Sequence, residues 1–489
     1  MSDSGPTGVV FPSSNGRRST TALGRAVVAD ALRPADPVGA AAAERETDWR
    51  RGYLTHFRRL VEAGLLSRVA ALDVARAGLA SVHERMRYLD ADGERPLPEA
   101  LRSTGDAAAF STVTVAGTGE VETQLSVPLH GERLRGEALL RQLDRWVRSG
   151  SVEPSFAEAI GQVARNPQWL RVDDQRVVVL GAGAEMGPLL SLLRWGGDVV
   201  AVDLPRPQLW RRLLDQARRY GGRLHAPVAG AQRDERHLAE RAGADLVHAL
   251  PDVTAYLARQ PGPLVLGNYV YADGAANVLV STAVDALTAR LLAQRDDVSL
   301  AFLATPTDVF AVPADVVREA ERRYRDRSLT TVARRPLRVL SAGRLLRRNY
   351  APGADPGLTD ALVPQQGPNY ALAKRLQRWR AAAARADGVP VSLTVAPPTR
   401  TRSVLKNRVL AAAYAGAHRF GVEVFEPGTA NTLMAAKLVH DLRAGTPRHD
   451  LPWQDEAWGA AHGGLWRQPY DPRSVLGIAV LLGWGSARG

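Results

Sequence analysis

RVVVLGAGAEMGPLLSLLRWGGDVVAVD, residues 176–203, decides the fold. An unbroken apolar run enters a glycine turn, a helix is expected over 186–195, and a second apolar run, DVVAVD, follows over 198–203. Continuous apolar runs, rather than alternation, suit strands buried on both faces of a parallel sheet. Gly181, Gly183 and Gly187 allow a tight turn and close approach of a phosphate to the start of the helix. Glu185 and Met186 complete this candidate cofactor-binding loop. Asp203 ends the second strand, 20 residues after Gly183. A carboxylate there accepts hydrogen bonds from a ribose diol. Arg206, just beyond, suits a 2′-phosphate, which Asp203 would repel. Two cofactors fit this reading. A nicotinamide dinucleotide, NAD or NADP, places its pyrophosphate on the loop. S-adenosylmethionine uses the same glycines and the same acid without a phosphate.

Outward from this unit the texture persists. Apolar strands are expected at 245–250, 263–267 and 298–304, with a helix over 275–294. Strands alternating with helices predict an α/β fold with a doubly wound parallel Rossmann-type sheet. Residues 1–45, rich in Ser, Gly, Ala and Pro, read as a disordered tail. Residues 46–170 read as a mainly helical N-terminal domain with a small hairpin over 111–127, turned at Gly117–Gly119. Residues 171–410 form the expected catalytic domain, with an insertion at 308–365 that holds Arg-rich helical text (316–327) and a strand at 337–340. Residues 411–489 read as a C-terminal helical extension or lid.

Composition narrows the chemistry. The chain of 489 residues has no Cys, which excludes disulfides, thiolate nucleophiles and Cys-ligated metals. Its 10 His form no HExxH-like pair, so no metal is expected. The net charge is +12, and the excess lies after residue 330, with 22 Lys and Arg against 10 Asp and Glu. No aromatic-interleaved basic stripe accompanies it, so an anionic small molecule is expected as partner rather than nucleic acid. The late apolar run 475–484 is about 10 residues long, too short to span a bilayer, so no membrane partner is expected. Arg17–Arg18 is followed by charged text instead of an apolar segment, which argues against an export signal. A cytoplasmic location is the expectation.

The sharpest chemical motif is Tyr370–Ala371–Leu372–Ala373–Lys374. At i and i+4 on a helix the two side chains share a face. A tyrosine titrates near ~10, and a neighbouring ammonium lowers that value, which suits proton exchange with a substrate oxygen. The chain has only 3 Lys, so the pairing with one of 11 Tyr is an uncommon coincidence. The segment YALAKRLQRWRAAAARADGVPVSLTVAPPTRT resembles the active-site helix, next strand and following loop of the short-chain dehydrogenase/reductase family. GAGAEMG resembles that family's glycine loop at Gly181, Gly183 and Gly187, with Glu185 at the position of the middle glycine. Asp252–Val253 resembles its adenine-contacting step, and Asn268 falls near its Asn-Asn-Ala-Gly position. Pro397 and Thr399 lie in the loop that follows the last strand, where Pro398 replaces a usual Gly.

The resemblance implies an NAD(P)-dependent oxidoreductase and, by family analogy, a homo-oligomer. Tyr370 would be the acid/base, and Lys374 would hold the nicotinamide ribose and tune Tyr370. The family's Ser would be replaced by Thr305 or Ser341, which lie 65 and 29 residues before Tyr370. VVVLGAG followed by VVAVDL also resembles class I methyltransferases, leaving a methyltransferase as the alternative. A non-catalytic Rossmann scaffold is the third reading.

Overall fold

The computed structural model describes residues 7–485 except 103, 104, 107, 231–236, 327–335 and 337. The apolar runs build a seven-stranded sheet. In chain order its strands are β1 (Phe110–Ala116), β2 (Arg176–Leu180), β3 (Asp198–Val202), β4 (Arg223–Ala229), β5 (Leu264–Asn268), β6 (Val298–Ala304) and β7 (Val391–Val395). The spatial order is β7-β6-β5-β2-β3-β4-β1. β2 to β7 pair in parallel, and β1 closes the edge antiparallel to β4. The chain winds from β2 outward through β3 and β4, then crosses to β5 and winds the other way. At such a reversal the loops after the strands part and leave a crevice at the carboxyl ends.

The absence of alternation in 176–203 now has its cause. Val178, Leu180, Val200 and Val202 face one core, whereas Val177, Val179, Val199 and Ala201 face the other. Helices cover both faces. On the first lie α1 (Thr20–Leu32), α2 (Arg68–Arg85), α7 (Ala275–Gln294) and α8 (Pro368–Ala386). On the second lie α3 (Gly136–Ser149), α4 (Pro154–Arg165), α5 (Leu189–Arg194), α6 (Pro207–Arg219) and α9 (Pro427–Ala444). α7 is long and apolar enough to cross a membrane, yet much of it is buried within the fold. Its Asp285 is buried between Arg380 and His83.

Several expectations are corrected. The tail expected over 1–45 is folded from residue 7 onward, and residues 1–6 lie outside the described residues. Its Val27, Val28 and Leu32 are fully buried, because small and apolar residues in α1 recur on one side and meet α2. Residues 46–170 do not form a separate domain. Their first helices cover one face of the sheet, β1 joins it, and α3 and α4 cover the other face. The alternating text at 111–127 makes no hairpin; it supplies β1, whose partner β4 is more than 100 residues away. β4 was not anticipated because His225 and Pro227 interrupt its apolar text. His225 is nonetheless buried, bonded to Asp198 and Thr114. The strand expected at 245–250 is a turn leading into a helix, Leu250–Ala258.

The segment 308–365 holds a two-stranded ribbon, Val309–Val312 with Gly357–Asp360, and a helix, Ala314–Arg325. Within the strand expected at 337–340, residue 337 lies outside the described residues and 338–340 are helical. After residue 410 the chain is mostly helical.

Candidate functional site

A cleft of about 1580 Å³ opens at the carboxyl ends of the strands. It is lined from the loops after β2, β3, β5, β6 and β7. Single-ligand pockets run to about 300–1,000 Å³, so there is room for two ligands side by side.

The glycine loop forms one wall. Gly181 has φ +81°, and a Cβ there would lie 3.0 Å from the Tyr269–Val270 backbone. Its N–H and that of Ala182 both donate to Val202 O, tying the loop to β3. Gly183 N–H donates to Asp203 Oδ2 at 2.7 Å, and Leu204 N–H donates to Oδ1 at 2.7 Å. Asp203 therefore organises the loop first, with remaining lone pairs available to a ribose. Burial pushes its carboxyl above the usual carboxylate range despite these two hydrogen bonds.

The helix expected from Met186 begins only at Leu189 and is six residues long. Pro188, without an N–H and with a fixed φ, stands at its N-cap. Glu185, Met186 and the exposed Arg206 line the cleft; Gly187 packs behind it, close to Ala184.

Asn268, at the end of β5, lines the cleft and accepts from Gln377 Nε2 at 3.3 Å. Pro397 and Thr399 line it from beyond β7, with the Thr399 hydroxyl donating to Pro397 O at 2.9 Å. Asp252 and Val253 are not cleft residues. They sit in the first turn of Leu250–Ala258, where Asp252 accepts from Asp106 N–H and Val253 is buried. Asp245 and Leu246 line the cleft instead. Asp245 Oδ1 receives the Val247 and His248 N–H groups and shapes that wall. This earlier Asp-aliphatic step was the available signal, obscured because 245–250 read as a strand.

Tyr370 and Lys374 occupy the first turns of α8, which starts at Pro368 after Gly367. Both line the same cleft as Gly183. Thr305, just past β6, stands close enough to the Tyr370 phenol to act on its ionisation. Its hydroxyl also lies 2.9 Å from Thr307 Oγ1, which accepts from Gln366 Nε2 at 2.7 Å. Burial raises Tyr370 above its usual value and Asp308 adds to this, while Thr305 opposes it; the lowering expected from Lys374 does not occur, because its ammonium is turned to Leu303 O and Gln377. Lys374 is lowered to about 8 by burial, with Asp308 opposing. Its ammonium donates to Leu303 O at 3.4 Å and Gln377 Oε1 at 3.2 Å. Ser341 is elsewhere, in a turn where its hydroxyl donates to Arg338 O. It does not line the cleft, because it follows the ribbon strand Val309–Val312 and the helix Ala314–Arg325, which lead the chain away before Val363 returns to the cleft.

Sequence reasoning missed what holds α8 in place. Asp308 is buried between Arg375 and Arg378, at 2.8 and 2.7 Å. Arg378 also pairs with Glu456 at 2.6 Å and stacks over Phe310, 4.1 Å from its ring centre. Tyr271 and Tyr414 were missed too. Both line the cleft, and Tyr271 meets Tyr370 edge-on at 6.3 Å between ring centres.

Among the arginines of the basic last third, Arg402 and Arg408 line the cleft. Arg347 pairs with Asp471, Arg348 covers Tyr324, and Arg400 pairs with Glu426. Phe425 packs on Trp146 and the turn after it leads into α9. Arg50, Arg206, Lys406 and Arg408 line the cleft and make no ion pair within 4 Å among the described residues. Among the described residues no three His, Asp or Glu groups gather as a metal site.

These residues fit a dinucleotide. The glycine cradle is tight where a Cβ at Gly183 would lie 2.6 Å from Leu209, Asp203 stands beside it, and Arg50, Arg206, Lys406 and Arg408 are among the cleft's other lining residues. Discordant in the glycine loop is Glu185, whose carboxylate is paired with Arg402.

No protein-family model and no curated protein matches the chain. Among solved structures it is similar to a thiolation-reductase di-domain from an archaeal non-ribosomal peptide synthetase, with 13% sequence identity and a TM-score of 0.28. The alignment covers 58% of this chain and 52% of that one, so the chain spans about half the length of that structure, and a likeness this loose carries no argument about activity.

Proposed function

We propose that the chain is an NAD(P)-dependent oxidoreductase of short-chain dehydrogenase/reductase type, built on a Rossmann-type sheet, acting on a carbonyl or alcohol. The observation that supports this best is the meeting of Thr305, Tyr370 and Lys374 in the cleft that also holds the glycine loop. The strand order matches the 3-2-1-4-5-6 arrangement of dinucleotide-binding folds, with an added edge strand.

A bound nicotinamide would supply or accept the hydride at the substrate carbon. The residues of this chain handle the oxygen and its proton. In reduction, Tyr370 Oη gives its proton to the substrate oxygen as the carbonyl becomes an alcohol. In oxidation the phenolate takes that proton back. A phenol is protonated at neutral pH, as a proton donor requires, and burial shifts Tyr370 further in that direction. The Thr305 hydroxyl holds the substrate oxygen against Tyr370. The Lys374 ammonium, one helical turn on, stabilises the phenolate left after proton transfer and would hold the nicotinamide ribose. Gly181, Gly183 and Asp203 would take the adenosine half, with Arg206 beside a 2′-phosphate. Arg50, Lys406 and Arg408 suit an anionic substrate.

A methyltransferase would not need Tyr370 and Lys374 near Gly183, and no observation favours that alternative. The test is a titration of purified protein, followed by quenching of its 10 Trp, with NADPH, NADH and S-adenosylmethionine. Saturable binding of a reduced nicotinamide is expected. Tyr370→Phe should then lower turnover by about 10²–10⁴-fold with dinucleotide affinity kept within twofold. Binding of S-adenosylmethionine alone would overturn the reading.

A further inference from the structure

Glu185 stands in the glycine loop, and its carboxylate is engaged. Oε2 accepts the Arg402 backbone N–H at 2.7 Å, and Oε1 lies 3.3 Å from Arg402 Nε. The Glu185 carbonyl accepts from Asn431 Nδ2 at 3.1 Å, which fixes the loop around it. Arg402 follows the loop after β7, so the pair spans from the carboxyl end of β2 to that of β7. Both residues line the cleft.

The geometry has a chemical reading. In dinucleotide-binding loops the N–H groups of the following helix receive the pyrophosphate. Here that helix is short and begins at Leu189, behind Pro188. A backbone N–H and a guanidinium aimed at one oxyanion are found instead on Arg402. An oxyanion, the carboxylate of Glu185, already occupies them. The carboxylate marks the anion site by filling it.

We propose that Arg402 is the pyrophosphate-binding cation of this chain and that Glu185 is its built-in competitor. An entering dinucleotide displaces the carboxylate from Arg402 and so opens a clasp across the cleft. This rests on the oxidoreductase reading above. The exchange is easy because the Arg402 side chain is 72% exposed, and an ion pair with one partner in water is weakened by solvent screening. The planar guanidinium presents two parallel donors, which match a phosphate better than they match the single carboxylate contact.

The test uses the full chain, with ADP-ribose followed by calorimetry and NADPH by tryptophan quenching. Glu185→Gln keeps the side-chain shape and removes the charge. It should tighten both ligands by about three- to tenfold at low salt. Arg402→Gln should weaken both by a similar factor. Melting temperatures should stay within about 2 °C, because the amide oxygen of Glu185→Gln can still accept the Arg402 N–H and Arg402 is exposed. By 0.5 M NaCl the Glu185→Gln advantage should fall toward onefold, because screening removes a charge effect. Equal affinity of wild type and Glu185→Gln, or an advantage that survives high salt, overturns the clasp while leaving the oxidoreductase reading intact. If neither ligand binds wild type or Glu185→Gln, the oxidoreductase reading itself falls.

Discussion

Replacing Lys374 by Met should make the protein more stable and less active. Lys374 ordinarily titrates near 10.5, and burial in the cleft floor lowers it to about 8. At pH 7 the ammonium is charged in both the folded and the unfolded chain, but its charge is disfavoured in the fold. The difference is worth about 3 kcal/mol against folding at pH 7. The sign follows from proton counting. Between the two pKa values the unfolded chain binds more protons, so wild-type stability rises with pH there and the penalty fades. By pH 9.5 about 2 kcal/mol of the penalty is gone. Met fills a similar volume without the charge. It forgoes the hydrogen bonds to Leu303 O and Gln377 Oε1, both long at 3.4 and 3.2 Å, which costs about 0.5–1.5 kcal/mol apiece. The net gain at pH 7 is then about 1 kcal/mol or somewhat more. For a chain of 489 residues that is a rise in Tm of about 1–2 °C. Paired thermal melts of wild type and Lys374→Met at pH 7 and pH 9.5 measure it. The variant should lead at pH 7 and lose that lead at pH 9.5. A variant no more stable at pH 7, or a gap that does not move with pH, would refute the argument that Lys374 is a charge held in the cleft at the expense of stability.

Other outcomes follow from the same geometry. Asp308→Asn leaves Arg375 and Arg378 facing a neutral amide in a buried site, and should cost about 3–5 kcal/mol in denaturant unfolding, with turnover falling although Asp308 does not line the cleft. Gly183→Val crowds Asp203 Oδ2, 3.2 Å from the new Cβ, as well as the Leu209 side chain, and puts a side chain where the loop must let a pyrophosphate approach; dinucleotide affinity should drop in a fluorescence titration. Thr305→Val should lower turnover by about 10–100-fold, whereas Ser341→Ala, in its turn away from the cleft, should stay within twofold. Equal losses in these last two would show that Thr305 does not orient the substrate oxygen.

What the sequence revealed depended on how local the forces were. The unit 176–203 was legible because strand, loop and strand are adjacent and their residues are apolar for one reason, burial on both faces. The i, i+4 pair of Tyr370 and Lys374 was legible because a helix alone sets its geometry. Elements defined by distant partners were not. β1 reads as half of a hairpin until β4 supplies its other side, and β4 hides behind His225, whose burial depends on Asp198 and Thr114. The N-terminal helices read as a tail because nothing in their own text reveals the sheet they cover. The late start of α5 was signalled by Pro188 and was overlooked in favour of the apolar run behind it.

The choice between Thr305 and Ser341 shows why spacing in sequence is a poor guide to this site. Ser341 is nearer to Tyr370 in the chain, yet Thr305 is its neighbour in space. The link is electrostatic. Asp308 lies three residues beyond Thr305 on the exit from β6, and Arg375 and Arg378 lie just past Lys374 on α8. One buried carboxylate holding two buried guanidiniums ties the strand exit to the helix, so the hydroxyl and the phenol are fixed relative to each other however the chain between them folds. The ion pairs run close to Thr305, Tyr370 and Lys374 without lining the cleft, and the charge of Asp308 also opposes the loss of the Lys374 proton. A cluster that sets position and charge together explains how a long segment can lie between two halves of one site without loosening it. It follows that shortening the ribbon and helix between 308 and 365 should perturb the Thr305–Tyr370 contact less than a single substitution at Asp308.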